Sequence, residues 1–109
     1  MLESSLASLR VDVDHDDVGV VVTVAGELDP QTSPVLDHEV QALLLSGYPS
    51  VVLDLRDVSF VDSAGLRVLI RSHTDLSRHR RRLCLRAPSP SVRRVLDLTG
   101  LIDVLEIVE

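Results

Sequence analysis

Hydrophobic positions recur along the chain in two rhythms, one of period two and one of about 3.6, and the rhythm switches from segment to segment. Leu9-Arg10-Val11-Asp12-Val13-Asp14 alternates strictly, as a strand with one face in water. His15-Asp16-Asp17 and Gly19 break that pattern as a turn. Val18 to Ala25 is mostly apolar and β-branched, the pattern of a strand covered on both faces. The short turn between the two predicts an antiparallel hairpin. Gly26-Glu27-Leu28-Asp29-Pro30 then reads as a turn, and Thr32 or Ser33 caps a helix with Pro34 in its first turn. In that helix Leu36, Val40, Leu43 and Leu44 share a face, and Gly47 stops it.

The alternation continues downstream. Ser50 to Leu55 is a third strand, followed by a short loop. Ser63 to about Arg78 is a second helix, with Leu66, Leu69, Ile70, His73 and Leu76 along its apolar face. Leu83 to Ala87 is a fourth strand. Ser89-Pro90-Ser91 opens a third helix that carries Val92, Val95 and Leu96 and ends at Gly100, and Asp103 to Val108 is a last strand. The order β-β-α-β-α-β-α-β places the chain in the α/β class. It predicts a mixed, mostly parallel sheet of about five strands, with three or four helices on one face or both.

Composition narrows this picture. The chain has 109 residues, enough for one core and little room for a second domain. With only Tyr48 and Phe60 as aromatics, its 18 Val and 19 Leu must build that core. A net charge of −6 and two aromatics suit neither phosphate backbones nor single-strand stacking, so no nucleic-acid partner is expected. The one cysteine, Cys84, excludes an internal disulfide and any CxxC site, and its place between Leu83 and Leu85 reads as a buried strand thiol. No apolar run spans a bilayer, and Met1 to Arg10 lacks the basic start and long apolar stretch of a signal peptide. The expectation is a cytoplasmic protein with no direct membrane insertion. All 11 basic residues are Arg, so chemistry needing a lysine amine is closed to it.

The chemically informative stretch runs from Val51 to Leu66. A strand ends, a loop follows, and a helix starts at Asp62 or Ser63. In open parallel sheets, sites lie beyond the carboxyl ends of strands. A helix N-terminus there favours an anion, including a phosphate on the Ser63 hydroxyl. Spacing alone leaves two roles open for Ser63, a helix cap or a carrier of such a phosphate.

Gly26-Glu27-Leu28-Asp29 after the second strand, together with Asp62-Ser63-Ala64-Gly65-Leu66 at a helix start, resembles the anti-sigma factor antagonists, the stand-alone STAS domains of bacterial partner-switching systems. The resemblance spans nearly the whole chain and implies a STAS-like single domain over residues 1–109. It also implies that an anti-sigma factor that is itself a serine protein kinase phosphorylates Ser63. The unphosphorylated form would bind that partner and free the sigma factor, and a PP2C-type phosphatase would restore it. By position Asp62 and Asp29 match the acids that flank the phosphorylated serine. Ala64 stands where some relatives carry a second Ser or Thr, which removes a second phosphate there. Gly65 would allow close backbone approach, and Arg67 and Arg71 would lie on the partner-facing edge of the helix. No cofactor and no metal are implied, the protein would not be an enzyme, and it would be a monomer or a weak dimer.

The runner-up within the same family is a subunit of an ABC-type membrane transport assembly, or a stress-complex scaffold, with Ser63 only a helix cap. Other candidates fall to particular residues. Asp54 ends a strand, as the phosphorylated Asp of a receiver domain does, but a receiver needs a Lys that this chain lacks. His15, His38, His73 and His79 are scattered without metal-ligand spacing, and the five glycines form no phosphate loop. Arg78-His79-Arg80-Arg81-Arg82 reads as a solvated helix end, and Asp12, Asp14, Asp16 and Asp17 as a solvated strand face and turn.

Overall fold

The computed structural model describes residues 9–15 and 19–109. The expected turn at Asp16 and Asp17, the strand start at Val18 and the first eight residues lie outside them. Five strands, β1 (Leu9–His15), β2 (Val20–Leu28), β3 (Ser50–Val61), β4 (Arg82–Arg86) and β5 (Glu106–Val108), form one sheet in the order β1-β2-β3-β4-β5. β1 is antiparallel to β2, and every other neighbouring pair is parallel. Three helices connect the parallel strands: α1 (Ser33–Ser46), α2 (Ser63–Arg78) and α3 (Pro90–Thr99). The class, the strand count and the element order are those expected from the pattern.

Register shows why the core is aliphatic. Val20 pairs with Val51 and Val51 with Leu83, while Val22 pairs with Leu53 and Leu53 with Leu85. Cross-strand partners share a face, so these residues make one apolar sheet surface, and all are buried. Leu36, Val40 and Leu43 of α1, Val68, Leu69 and Leu76 of α2, and Val92 and Leu96 of α3 join them in one cluster. β2 alternates between buried and half-buried positions and is not sealed on both faces. The opposite sheet face carries Thr23, Asp54, Cys84, Arg82 and Arg86, where charges pair: Arg86 holds Asp54 at 3.0 Å and Arg82 meets Glu106. Cys84 is therefore half-buried, and burial raises its thiol pKa.

Four further expectations need correction. β2 continues through Gly26-Glu27-Leu28, and β3 continues six residues past Leu55 to Val61. Polar residues made both extensions read as turn or loop. The two strands in fact stay paired across register shifts at Thr23/Ala25 and Gly26/Glu27, with Gly26 at φ 116°. A bulge breaks the period-two pattern without ending the strand. The buried face of α2 is Gly65, Val68, Leu69, Ser72 and Leu76, which leaves Ile70 exposed and Leu66 and His73 half-buried. The last strand starts only at Glu106, because Leu101–Asp103 form a 3₁₀ turn after Gly100.

Candidate functional site

β2 and β3 run parallel, so both end at the same edge of the sheet, and each delivers an aspartate there. β2 ends at Leu28 and is followed by Asp29; β3 ends at Val61 and is followed by Asp62. The two ends are tied by a hydrogen bond from the Asp62 N–H to the Leu28 carbonyl, 3.1 Å.

Asp29 builds the turn into α1. Its Oδ1 accepts from the backbone N–H of Gln31 and of Thr32, each at 2.9 Å. The hydroxyl of Thr32, a residue only 3% exposed, accepts the Asp29 N–H at 3.0 Å and donates to the Glu27 carbonyl at 2.6 Å. The Thr32 N–H bond is the main reason the Asp29 carboxyl sits below its ordinary pKa, with partial desolvation opposing it. Thr32 occupies the N-cap position of α1 but makes no side-chain cap bond, because its hydroxyl is spent on the preceding turn.

Asp62 starts α2. With extended backbone (φ −116°, ψ −167°), its Oδ1 accepts from the Ala64 N–H at 2.9 Å and the Gly65 N–H at 3.2 Å. The cap is thus Asp62 and not Ser63. Ser63 is the first helical residue, it is exposed, and its hydroxyl has no hydrogen-bond partner among the described residues. Gly65 is buried directly beneath. A Cβ placed there would come within 2.7 Å of Val61 Cγ2 and 2.8 Å of Leu28 Cβ, so α2 approaches the strand ends as closely as it does only because residue 65 has no side chain.

Two grooves flank this helix start. One, about 380 Å³, is lined by Ser63, Leu66, Arg67, Ile70, Thr99 and Leu101 and lies between α2 and the end of α3. The other, about 290 Å³, lies between α1 and α2 and includes Pro30, Asp37, Ala64, Arg67 and Arg71. Arg67 lines both, is exposed, and has no ion pair among the described residues. Arg71 instead pairs with Asp37 of α1 at 3.4 Å, which makes it an interhelical strut as well as a surface residue.

The structure therefore brings Asp29, Asp62, Ser63, Ala64, Gly65 and Arg67 to one sheet edge. Asp57 lies exposed within β3, opposite Ala25. Asp54 is buried against Arg86 and the Arg56 N–H, and these bonds hold its carboxyl low despite desolvation. It is no acceptor waiting for a phosphate. In the basic run 78–82, Arg81 is on the Leu44 carbonyl and Arg82 on Glu106, while Arg78 and Arg80 are exposed with no ion pair among the described residues. Leu101 and Thr99 escaped the sequence reading. They share a groove with Ser63 only through the packing of α3 and the 3₁₀ turn, and no local pattern encodes that placement. Among the described residues there is no group of three or more metal-ligating side chains, and no helix is long and apolar enough to cross a membrane.

Comparison with known proteins gives concordant findings. A family model described as the STAS domain matches residues 10–109. The chain is 32% identical over 100 residues to the anti-sigma-B factor antagonist of Bacillus subtilis, covering 92% of this chain and 91% of that one. It is also 32% identical to the anti-sigma-B factor antagonist of Listeria monocytogenes, over 88% of this chain and 81% of the relative. Among solved structures, an anti-sigma factor antagonist from Mycobacterium paratuberculosis superposes with a TM-score of 0.84 at 32% identity, covering 93% of this chain and 86% of that one.

Proposed function

The chain belongs to the STAS domain family, and we propose that it acts as a one-domain anti-sigma factor antagonist switched by phosphorylation of Ser63. In this reading the unphosphorylated protein binds an anti-sigma factor that is also a serine kinase, and that binding frees the sigma factor. The kinase transfers the γ-phosphoryl group of ATP to Ser63 Oγ, which gives up its proton, and ADP leaves. A PP2C-type phosphatase reverses the step. The protein itself is a cytoplasmic binding module and substrate, and it contributes no catalysis.

The observation that carries the reading is the division of labour at the start of α2: Asp62 caps the helix and Ser63 is exposed with its hydroxyl unengaged. A capping hydroxyl is held against the backbone N–H groups of the first turn, whereas this one is exposed and held by no such bond. The names of relatives at 32% identity over nine-tenths of the chain support the same conclusion. Electrostatics supply the switch. A phosphate adds about −1.5 to −2 charges beside Asp62, on an edge that already holds Asp29. The positive end of the α2 dipole offsets part of the repulsion, so the fold survives, while a partner docked over Ser63 meets a hydrated dianion. The blockade is local and needs no refolding.

Intact-mass spectrometry with peptide mapping tests it, on the protein incubated with Mg-ATP and its candidate kinase. The expected result is one added phosphate on Ser63, absent in Ser63→Ala. A phosphate elsewhere, or a stable complex with none added, would contradict it and favour the transport or scaffold role.

A further inference from the structure

Arg67 stands one helical turn after Ser63, is exposed, lines the same groove, and is unpaired among the described residues. We infer that Arg67 is the intramolecular counter-ion of the Ser63 phosphate. The pair would close the mouth of the groove formed by Leu66, Ile70, Thr99 and Leu101. This inference rests on Ser63 being the modified residue.

Three features of the helix support it. Residues four apart lie on one face with Cβ atoms about 5–6 Å apart. Side chains on a helix lean toward its N-terminus, so a guanidinium at position 67 reaches back over residue 63. An acid N-terminal to a base at this spacing is the favourable orientation, and a guanidinium meets phosphate oxygens with two parallel N–H donors.

The surroundings leave Arg67 to this task. Asp62 spends Oδ1 on two backbone N–H groups, and Asp29 spends its own on the turn into α1. Thr99 and Leu101 across the first groove carry no charge. Across the second, Asp37 already has Arg71 on Oδ2, although its Oδ1 is buried and unpartnered, so it and the Oδ2 that Asp62 leaves unbonded are the acceptors a Ser63 phosphate must outcompete. Before phosphorylation Arg67 is a free cation beside an apolar groove, suited to a partner segment that presents a carboxylate next to an apolar side chain. After phosphorylation the same guanidinium is occupied from within. The switch then removes an attractive contact as well as adding a repulsive one.

The test is a ³¹P NMR pH titration of the full chain with phosphoserine installed at position 63 during synthesis, so that no kinase is needed. The second phosphate pKa is expected to be lower in the parent than in Arg67→Gln by roughly 0.3 units, the worth of one such pair. Arg67→Lys should retain most of that depression, and Arg71→Gln should leave it unchanged. Equal pKa values in the parent and Arg67→Gln would overturn the assignment, as would a larger effect from Arg71→Gln. Because the phosphate is built in, either negative result removes Arg67 and leaves the kinase reading standing. A kinase that ignores Ser63 would remove the kinase reading and leave the titration intact.

Discussion

Two aspartate–hydroxyl pairs sit side by side at the carboxyl edge of the sheet, and they have been put to opposite uses. In the turn after β2, Asp29 and Thr32 are both consumed by structure: the carboxylate gathers two backbone N–H groups and the buried hydroxyl bridges Asp29 to Glu27. At the start of α2, Asp62 alone satisfies the first turn, and the Ser63 hydroxyl is left over at the surface. Composition is nearly the same in both places. The difference lies in which group closes the backbone, and it separates a structural hydroxyl from one available for chemistry. An acid at the cap position is what makes the neighbouring serine dispensable to the fold.

Mutations sharpen that contrast. Thr32→Val should destabilise the protein by about 2 kcal/mol in urea unfolding, since it removes a buried hydroxyl from the Asp29 N–H and the Glu27 carbonyl in a part-buried turn. Gly65→Ala should lose about 2 kcal/mol, because the new Cβ collides with Val61 and Leu28 where α2 enters. Asp62→Ala should lose about 1 kcal/mol, the usual worth of a helix cap. Ser63→Ala should change stability by less than about 0.5 kcal/mol. If Ser63→Ala proved as damaging as Asp62→Ala, the two residues would share the cap and the contrast would be broken.

The smallest effect is electrostatic. Hydrogen bonds from the Thr32 N–H and its neighbours hold Asp29 below its ordinary value of 3.8. A carboxyl depressed in the folded state stabilises the fold above its unfolded pKa, and that contribution fades as pH falls through the lower folded value. Carboxyl NMR should therefore place the Asp29 midpoint below 3.8, and Asp29→Asn should flatten the acid limb of the stability curve just below pH 4. A midpoint at or above 3.8 would mean the turn is not closed by this carboxylate.

Much of this was legible in the sequence, and the exceptions have physical causes. Element order followed from periodicity because the core is aliphatic and α1 and α3 are cleanly punctuated by Pro34, Gly47, Pro90 and Gly100. The ends of β2 and β3 were hidden because bulges put Asp57 and Ser59 where alternation would place apolar residues, yet pairing continues to Val61. The apolar pattern of α2 includes Ile70, which faces a surface groove, and hydrophobicity alone does not separate a groove from the core. The motif at 62–66 located the site, but it could not decide whether Asp62 or Ser63 caps the helix. That depends on the extended conformation of Asp62, which aims its carboxylate at Ala64 and Gly65.

The central claim is that the hydroxyl left free by Asp62 governs partner binding. Isothermal titration of the candidate anti-sigma factor with the unmodified chain, and with the chain carrying phosphoserine at position 63, tests it most directly. The account predicts that the unmodified chain binds and that the phosphate weakens binding about a hundredfold or more, since each 1.4 kcal/mol of lost contact is a factor of ten. Equal affinity of the two forms would contradict it.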